Sequence, residues 1–333
     1  MNKRFPLLLP KVSDALNGVV AVGRKAAVLN PFNFQKKGTQ GKAVFALAIV
    51  CFFWGTTWVA SKEGVRYMPA LQLAGIRQTI GGLFYVLYFL YKKAALPKGK
   101  EWGPIIVLSI LNFMLSNALS TWGVKYISAG LGSIIGAIFP LWLVIIGSFG
   151  AGTKIKREAA FGLALGFTGI CVIFFDHLHD FLNADFRLGI FLSLASTWSW
   201  AFGTLYTKKE AANFNPYFSL GLQMVIAGPT VYLVAKLTNN SVPFSAIPWQ
   251  SWVAIGYLAL FGSVLSFVAY LYALQNLPTE QASLYAYINP IVALLSGALI
   301  SGDKLTWPIL TGVLITLLGV RLVNKSAKAT GSD

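Results

Sequence analysis

The stretch SIIGAIFPLWLVIIGSFGAGTKI, residues 133–155, returns 150 positions later as SLYAYINPIVALLSGALISGDKL, residues 283–305. Laid over one another without a gap, Ser133 meets Ser283, Ile138 meets Ile288, Pro140 meets Pro290 and Gly147 meets Gly297. Gly152 meets Gly302, Lys154 meets Lys304, and further on Gly162 falls on Gly312 and Gly169 on Gly319. Earlier in each half, Trp54-Gly55 followed by Ser61-Lys62 matches Trp200-Ala201 followed by Thr207-Lys208 at a spacing of 146. Pro69, Leu73 and Gly81 match Pro216, Leu220 and Gly228 at a spacing of 147. The chain repeats itself once, each time with a proline inside an apolar run.

Composition fixes the solvent. Hydrophobic residues make up 56% of the chain and charged residues 11%, with a mean hydropathy of +0.65; a soluble domain carries about a quarter charged residues. Ten long apolar stretches lie near 43–62, 72–91, 104–122, 127–149, 159–176, 188–206, 217–237, 251–275, 279–301 and 305–323. Each approaches the ~20 residues that cross a ~30 Å hydrocarbon layer, which predicts ten membrane helices. The net charge of +16 takes its meaning from its distribution. With alternating helices and a cytoplasmic N-terminus, twenty of the 27 Lys and Arg fall on the inner side, six on the outer side, and Arg77 inside a helix. This positive-inside bias puts both termini in the cytoplasm. It also removes the main reason to expect nucleic-acid binding.

Five helices per copy is an odd number, so the second copy enters the membrane from the opposite side. The expected architecture is therefore all-α and polytopic, ten transmembrane helices as two inverted five-helix repeats, a form common among secondary transporters with a mid-membrane substrate site. The segments are a cytoplasmic N-terminal arm at 1–40, a first repeat at 41–178, a second at 186–323 and a cytoplasmic tail at 324–333. The arm reads either as an amphipathic helix on the inner leaflet, with Lys11, Arg24 and Lys25 near the headgroups, or as disordered.

The Trp54-Gly55 pair, Arg77 after PALQLAGI, the SAGLGSIIGAIFPLW segment and the closing ASLYAYINPIVALLSGALISGDKLTWPILTGVLITLLGV resemble the EamA-type branch of the drug/metabolite transporter superfamily. The resemblance covers residues 43–323. It implies a ten-helix inner-membrane carrier of small metabolites, often an exporter of amino acids.

Pro140 and Pro290 lie near mid-span, where a proline removes a backbone hydrogen bond and the freed carbonyl is tolerated where it is buried or lines a cavity. They are the expected hinge or kink positions; a plain packing kink is the alternative. Candidate substrate-binding residues around them are Trp54, Trp58, Asn112, Ser116, Ser133, Trp200, Tyr285 and Asn289, with Asn117, Trp198 and Tyr287 as further side chains of suitable chemistry. Trp54 and Trp200 share one place in the two halves; facing lipid or packing in the core is their other reading. Arg77 is either an anchor for a substrate carboxylate or a residue bonded to helix-end carbonyls or the outer interface, the second carrying more weight because snorkelling lowers its cost. Glycines for close helix packing are Gly132, Gly136, Gly162, Gly166, Gly169, Gly312 and Gly319.

The sequence calls for no cofactor or metal ion. His177 and His179 lie with Asp176 and Asp180 in the loop DHLHD, read as a solvated outer loop before a weak metal site. Cys51 and Cys171 lie in membrane segments and imply no disulfide framework. The leading expectation is a carrier of small neutral or zwitterionic metabolites, amino acids first and bulky or aromatic ones favoured, working by alternating access as a monomer or homodimer. Multidrug efflux is a second transport reading, weakened because the first helix has no carboxylate. A membrane enzyme or sensor without transport is the reading from another class. The eleven acids all lie in loops, tails or helix ends, so movement down the substrate's gradient is expected, with Glu280 as the residue that would overturn this.

Overall fold

The computed structural model describes residues 39–139, 141–142, 145–146, 157–175, 177–210, 214–277 and 285–328. Residues 1–38 of the N-terminal arm, Pro140, Asp176 and Glu280 lie outside the described residues, as does the side chain of Tyr287. The described residues form helices and connecting turns with no strand among them. In lipid this is the expected economy, since a helix satisfies every backbone group within its own segment.

We number the helices in chain order: α1 Thr39–Gly64, α2 Ala70–Tyr91, α3 Gly99–Gly123, α4 Ala129–Ala137, α5 Arg157–Phe175, α6 Ala184–Glu210 and α7 Pro216–Leu237. Helix α8 runs through Trp249–Tyr257, Leu258–Leu265 and Ser266–Asn276; α9 is Tyr285–Ile300 and α10 is Trp307–Lys328. Six of these, α1, α2, α3, α6, α7 and α8, hold spans of 22 to 25 residues long and apolar enough to cross a membrane. Shorter apolar helices are Ala160–Phe175, Ile288–Ile300 and Trp307–Leu322. Among the described residues, six of the apolar stretches are thus helices long enough to cross a membrane, and the others hold shorter helices.

Local chemistry sets several helix ends. Asn215 starts α7, its Oδ1 accepting from the backbone N–H of Tyr217 (3.0 Å) and Phe218 (3.1 Å) ahead of Pro216 at the first helical position. Ser128 starts α4 by accepting from the Leu131 N–H at 3.1 Å. Gly302 turns the chain between α9 and α10 at φ +73°, a conformation costly for any residue with a Cβ.

Packing follows the sequence repeat. Helix α2 lies along α7, and α5 along α10. Helix α1 packs on α8 and α9, while α6 packs on α3 and α4, and α4 touches α9. Glycines decide the closest approaches. A Cβ at Gly319 would meet the backbone of Gly162 and Gly166, and one at Gly169 or Gly312 would meet the other's carbonyl at 2.7 Å. Helices α5 and α10 therefore touch backbone to backbone, which is how small residues bring membrane helices together. Gly132 and Gly136 behave differently from the expectation: a Cβ at either would lie 2.9 Å from the Trp58 ring. They seat an indole from α1 instead of a neighbouring backbone.

Two helices share an irregularity. α3 widens into a π-helical turn at Ser109–Asn117 and α8 does so at Leu258–Leu265. The 150-residue spacing of the repeat carries into these segments, placing Trp102 on Trp252, Asn112 on Gly262 and Ser116 on Ser266. Inserted π turns concentrate at functional sites.

Candidate functional site

One cavity of about 170 Å³ opens between the helices beside these turns. At the ~10–15 Å³ that one water occupies on this measure, it holds on the order of ten non-hydrogen atoms. Its wall takes Trp54, Thr57, Trp58 and Ser61 from α1, Arg77 from α2, and Asn112, Phe113, Ser116, Asn117, Ser120 and Thr121 from α3. It continues through Ser133, Gly136, Ala137 and Phe139 of α4 and its continuation, Ser196, Thr197 and Trp200 of α6, Phe267 of α8, and Tyr285, Ala286 and Asn289 of α9. All nine candidate substrate residues, Trp54, Trp58, Arg77, Asn112, Ser116, Ser133, Trp200, Tyr285 and Asn289, are on that wall.

Part of the wall is aromatic. The Trp54 ring lies 5.1 Å from Phe267, 5.1 Å from Tyr270 and 5.2 Å from Tyr285, centre to centre, and Phe139 stacks on Tyr285 at 6.5 Å. Trp54 is fixed by donating its indole N–H to the Gly262 carbonyl at 3.2 Å. The Tyr285 hydroxyl is buried between Trp200 and Tyr270 without a hydrogen bond of good geometry. Beside it, Asn289 donates through its amide nitrogen to the carbonyls of Cys51 (3.0 Å) and Tyr285 (3.1 Å) in the orientation that satisfies all three groups. This ties α9 to α1 where Gly55 lets the two helices meet: a Cβ there would strike Val292. Pro290 follows inside α9. It has no N–H for the Ala286 carbonyl, and Ala286 lines the cavity.

The rest of the wall is polar and rich in hydroxyls. Ser133 donates to the Gly130 carbonyl at 2.7 Å, and Ser120 and Thr121 both donate to the Asn117 carbonyl at 2.9 Å. Asn117 Oδ1 is buried and accepts nothing, and Asn112 Oδ1 is likewise unpartnered, pressed on Gly203 of α6. Arg77, 5% exposed, donates from Nε to Ser263 Oγ at 3.2 Å. The ion pairs among the described residues are Arg66–Glu63 and His177–Asp180, so Arg77 has no carboxylate beside it there. This corrects the weightier expectation for Arg77, since its bond is to a mid-helix hydroxyl of α8 and its guanidinium is on the cavity wall.

Trp198 belongs elsewhere. It is 49% exposed and packs on Trp142 and Phe202, away from the cavity. Two residues along a helix is a turn of ~200°, so Trp198 and Trp200 cannot share a face. In the loop, His177 Nδ1 is 2.6 Å from Asp180 Oδ2 and its ring stacks on Phe186 at 5.6 Å, which accounts for it without a metal ion. The lining residues that sequence reasoning passed over are chiefly Thr57, Ser61, Ser120, Thr121, Ser196 and Thr197. Asn112, Ser116 and Ser120 follow one another at intervals of four, a polar stripe that was available to be read.

The model of the EamA-like transporter family matches the chain twice, over residues 41–175 and 187–325. The chain belongs to the EamA-like transporter family. It is a multi-pass membrane protein, and the two matches divide it where the internal repeat does. A curated relative from Bacillus subtilis (strain 168), named "Uncharacterized transporter YvbV", is 28% identical over 89% of this chain and 95% of that protein. "Uncharacterized inner membrane transporter YedA" of Escherichia coli (strain K12) is 28% identical over 84% of this chain and 90% of its own length. A solved structure titled "Crystal structure of protein" superposes with a TM-score of 0.62 over 87% of this chain and 99% of that one, at 15% identity, a likeness of fold alone.

Proposed function

We propose that this EamA-family member is an alternating-access carrier of small neutral or zwitterionic metabolites, amino acids first, built as ten membrane helices in two inverted five-helix halves with both termini cytoplasmic. The observation that carries the reading is the cavity wall, where Trp54 and Trp200, matched positions of the two repeats, converge with residues of α9. A site made jointly by two copies of one unit opens to either side when the copies rock against one another. Helix pairing supports this arrangement: α2 with α7 and α5 with α10 are matched helices lying on each other, and the pairing of α1 with α8 answers that of α6 with α3. Room for about ten non-hydrogen atoms, lined by aromatic rings and by hydroxyls, suits an amino acid of bulky side chain. An arginine on the wall speaks against lipophilic cations and so against the multidrug reading.

The test is counterflow into proteoliposomes preloaded with unlabelled neutral amino acids. Uptake of the labelled counterpart of at least one is expected; its absence across the whole set defeats the substrate class. Orientation is tested separately with single cysteines after removal of Cys51 and Cys171. An impermeant reagent outside intact cells is expected to label positions 180 and 238 and to spare 98 and 154; labelling at 98 reverses the topology.

A further inference from the structure

The repeat supplies an internal control for Arg77. At the 147-residue spacing of the second helices, Arg77 of α2 matches Met224 of α7, and at the 150-residue spacing its partner Ser263 matches Phe113. Met224 and Phe113 pack in one apolar cluster with Trp200 at its edge. The matched positions therefore hold a methionine and a phenylalanine of one apolar cluster in one half, and a guanidinium bonded to a hydroxyl in the other. Packing α2 on α8 does not require a charge. A buried arginine is costly inside a membrane, and no carboxylate among the described residues offsets it. Gly262 makes the room: a Cβ there would lie 3.1 Å from Arg77 Nη2. The guanidinium thus reaches the cavity over a bare backbone with its second edge unclaimed by any described acid.

We infer that Arg77 binds the carboxylate of the transported substrate, so that the carrier selects molecules bearing that group; the inference rests on the carrier reading above. A guanidinium presents a planar fork of donors that a carboxylate fills with two parallel hydrogen bonds, stronger than bonds between neutral groups. The Ser263 bond to Nε holds the fork's orientation and leaves the Nη donors for the ligand. For a zwitterion the ammonium then turns to the acceptors along α3, where Asn117 Oδ1 is buried without a donor. The apolar side chain is left with the rings of Trp54 and Tyr285.

The experiment measures binding to the purified full chain with three probes of one shape: L-phenylalanine, L-phenylalaninamide without the carboxylate, and 3-phenylpropionate without the ammonium. Phenylalanine and phenylpropionate are expected to bind and the amide to bind roughly 10- to 100-fold more weakly, the range expected for losing a hydrogen bond to a charged group. Arg77→Met copies the other half and is expected to lose the preference for the acid over the amide, while Arg77→Lys keeps part of it. A double variant, Arg77→Met with Ser263→Phe, transplants both apolar residues; it is expected to hold the wild-type melting temperature and still lack the preference. Return of the preference in that double variant would make Arg77 a packing residue and overturn the inference, as would wild-type protein binding acid and amide alike. Failure of all three probes to bind would instead defeat the zwitterionic substrate class itself, and the inference with it.

Discussion

The π turn of α3 and the π turn of α8 occupy matched places and are treated in opposite ways. The α8 turn is stitched to the first half. Gly262 and Val264 offer carbonyls to Trp54 (3.2 Å) and Tyr85 (2.8 Å), and Ser263 accepts from Arg77 (3.2 Å). The α3 turn has fewer ties, a bond from Ser199 to the Leu111 carbonyl at 2.8 Å and one from Ser109 to the Gln223 carbonyl at 2.9 Å. Four of its residues, Asn112, Phe113, Ser116 and Asn117, face the cavity instead. The contact at the centre of each turn is reversed. Asn112 of α3 presses its amide on Gly203 of α6, whereas Gly262 of α8 lies under Thr57 of α1, and the repeat places Asn112 on Gly262 and Gly203 on Thr57. In one half the turn brings the side chain and its neighbour is bare; in the other the turn is bare. The cavity accordingly lies against the turn that carries side chains, while the bare turn stands behind Trp54, Thr57 and Arg77 of the wall.

The largest effect is expected where the bare turn is given the other's side chain. Gly262→Asn puts a Cβ 2.8 Å from Thr57 Cγ2 and 3.1 Å from Arg77 Nη2. Overpacking of this kind costs about 1–3 kcal/mol, and counterflow is expected to fall at least ~10-fold because the displaced groups include the cavity wall. Adding Thr57→Gly reproduces the Asn112–Gly203 arrangement and is expected to recover the lost stability in a thermal-unfolding assay. If the double variant is no more stable than the single one, the two contacts are not equivalent and the comparison fails.

A smaller effect is expected from Trp54→Phe, which keeps a ring against Phe267, Tyr270 and Tyr285 but removes the donor to Gly262. Leaving that carbonyl unpaired costs on the order of 1 kcal/mol, so substrate affinity should weaken roughly 5-fold by the usual conversion. Trp200→Phe should cost less, since no hydrogen bond of good geometry joins its indole to the Tyr285 hydroxyl. Equal losses in the two variants would show that the stitching of the α8 turn has no functional weight.

How much of this was legible depended on residue size and on the repeat. Trp54 and Trp200 were readable because an indole recurring at one spacing inside an apolar span has few reasons to be there, and Asn289 because it stands beside a mid-span proline. The π turns were not readable: a widened turn leaves the apolar pattern of α3 intact and changes only which side chains share a face. Thr121 and Thr197 were invisible for another reason. Hydroxyls in membrane helices commonly bond back to the preceding turn, as Thr121 does to Asn117 and Thr197 to Ser193 at 2.9 Å, and that habit hides which of them meet a cavity. Trp198 has the same chemistry as Trp200 but lies about 200° round the helix from it, so residue type alone does not tell the two apart.

The smallest expected effect is a null one, and it bears on energy coupling. Proton-coupled carriers keep an Asp, Glu or His within the membrane to bind the proton. The polar side chains of the described cavity wall are Asn, Ser and Thr from α3 and Asn, Ser, Thr, Tyr and Trp from elsewhere, with Arg77 its charged member and no acid or histidine. Whichever turn faces the substrate, a proton has no described group to occupy as the halves exchange. Uptake into proteoliposomes is therefore expected to level off at the external substrate concentration whether or not a pH gradient is imposed. Because Arg77 carries its charge in both states, the rate should also be flat across moderate pH. Accumulation above that level driven by the pH gradient alone, and lost in Glu280→Gln, would make Glu280 the proton site and convert the carrier from gradient-driven to proton-coupled. Accumulation that persists in Glu280→Gln would place the proton on another group and overturn the same expectation by a different route.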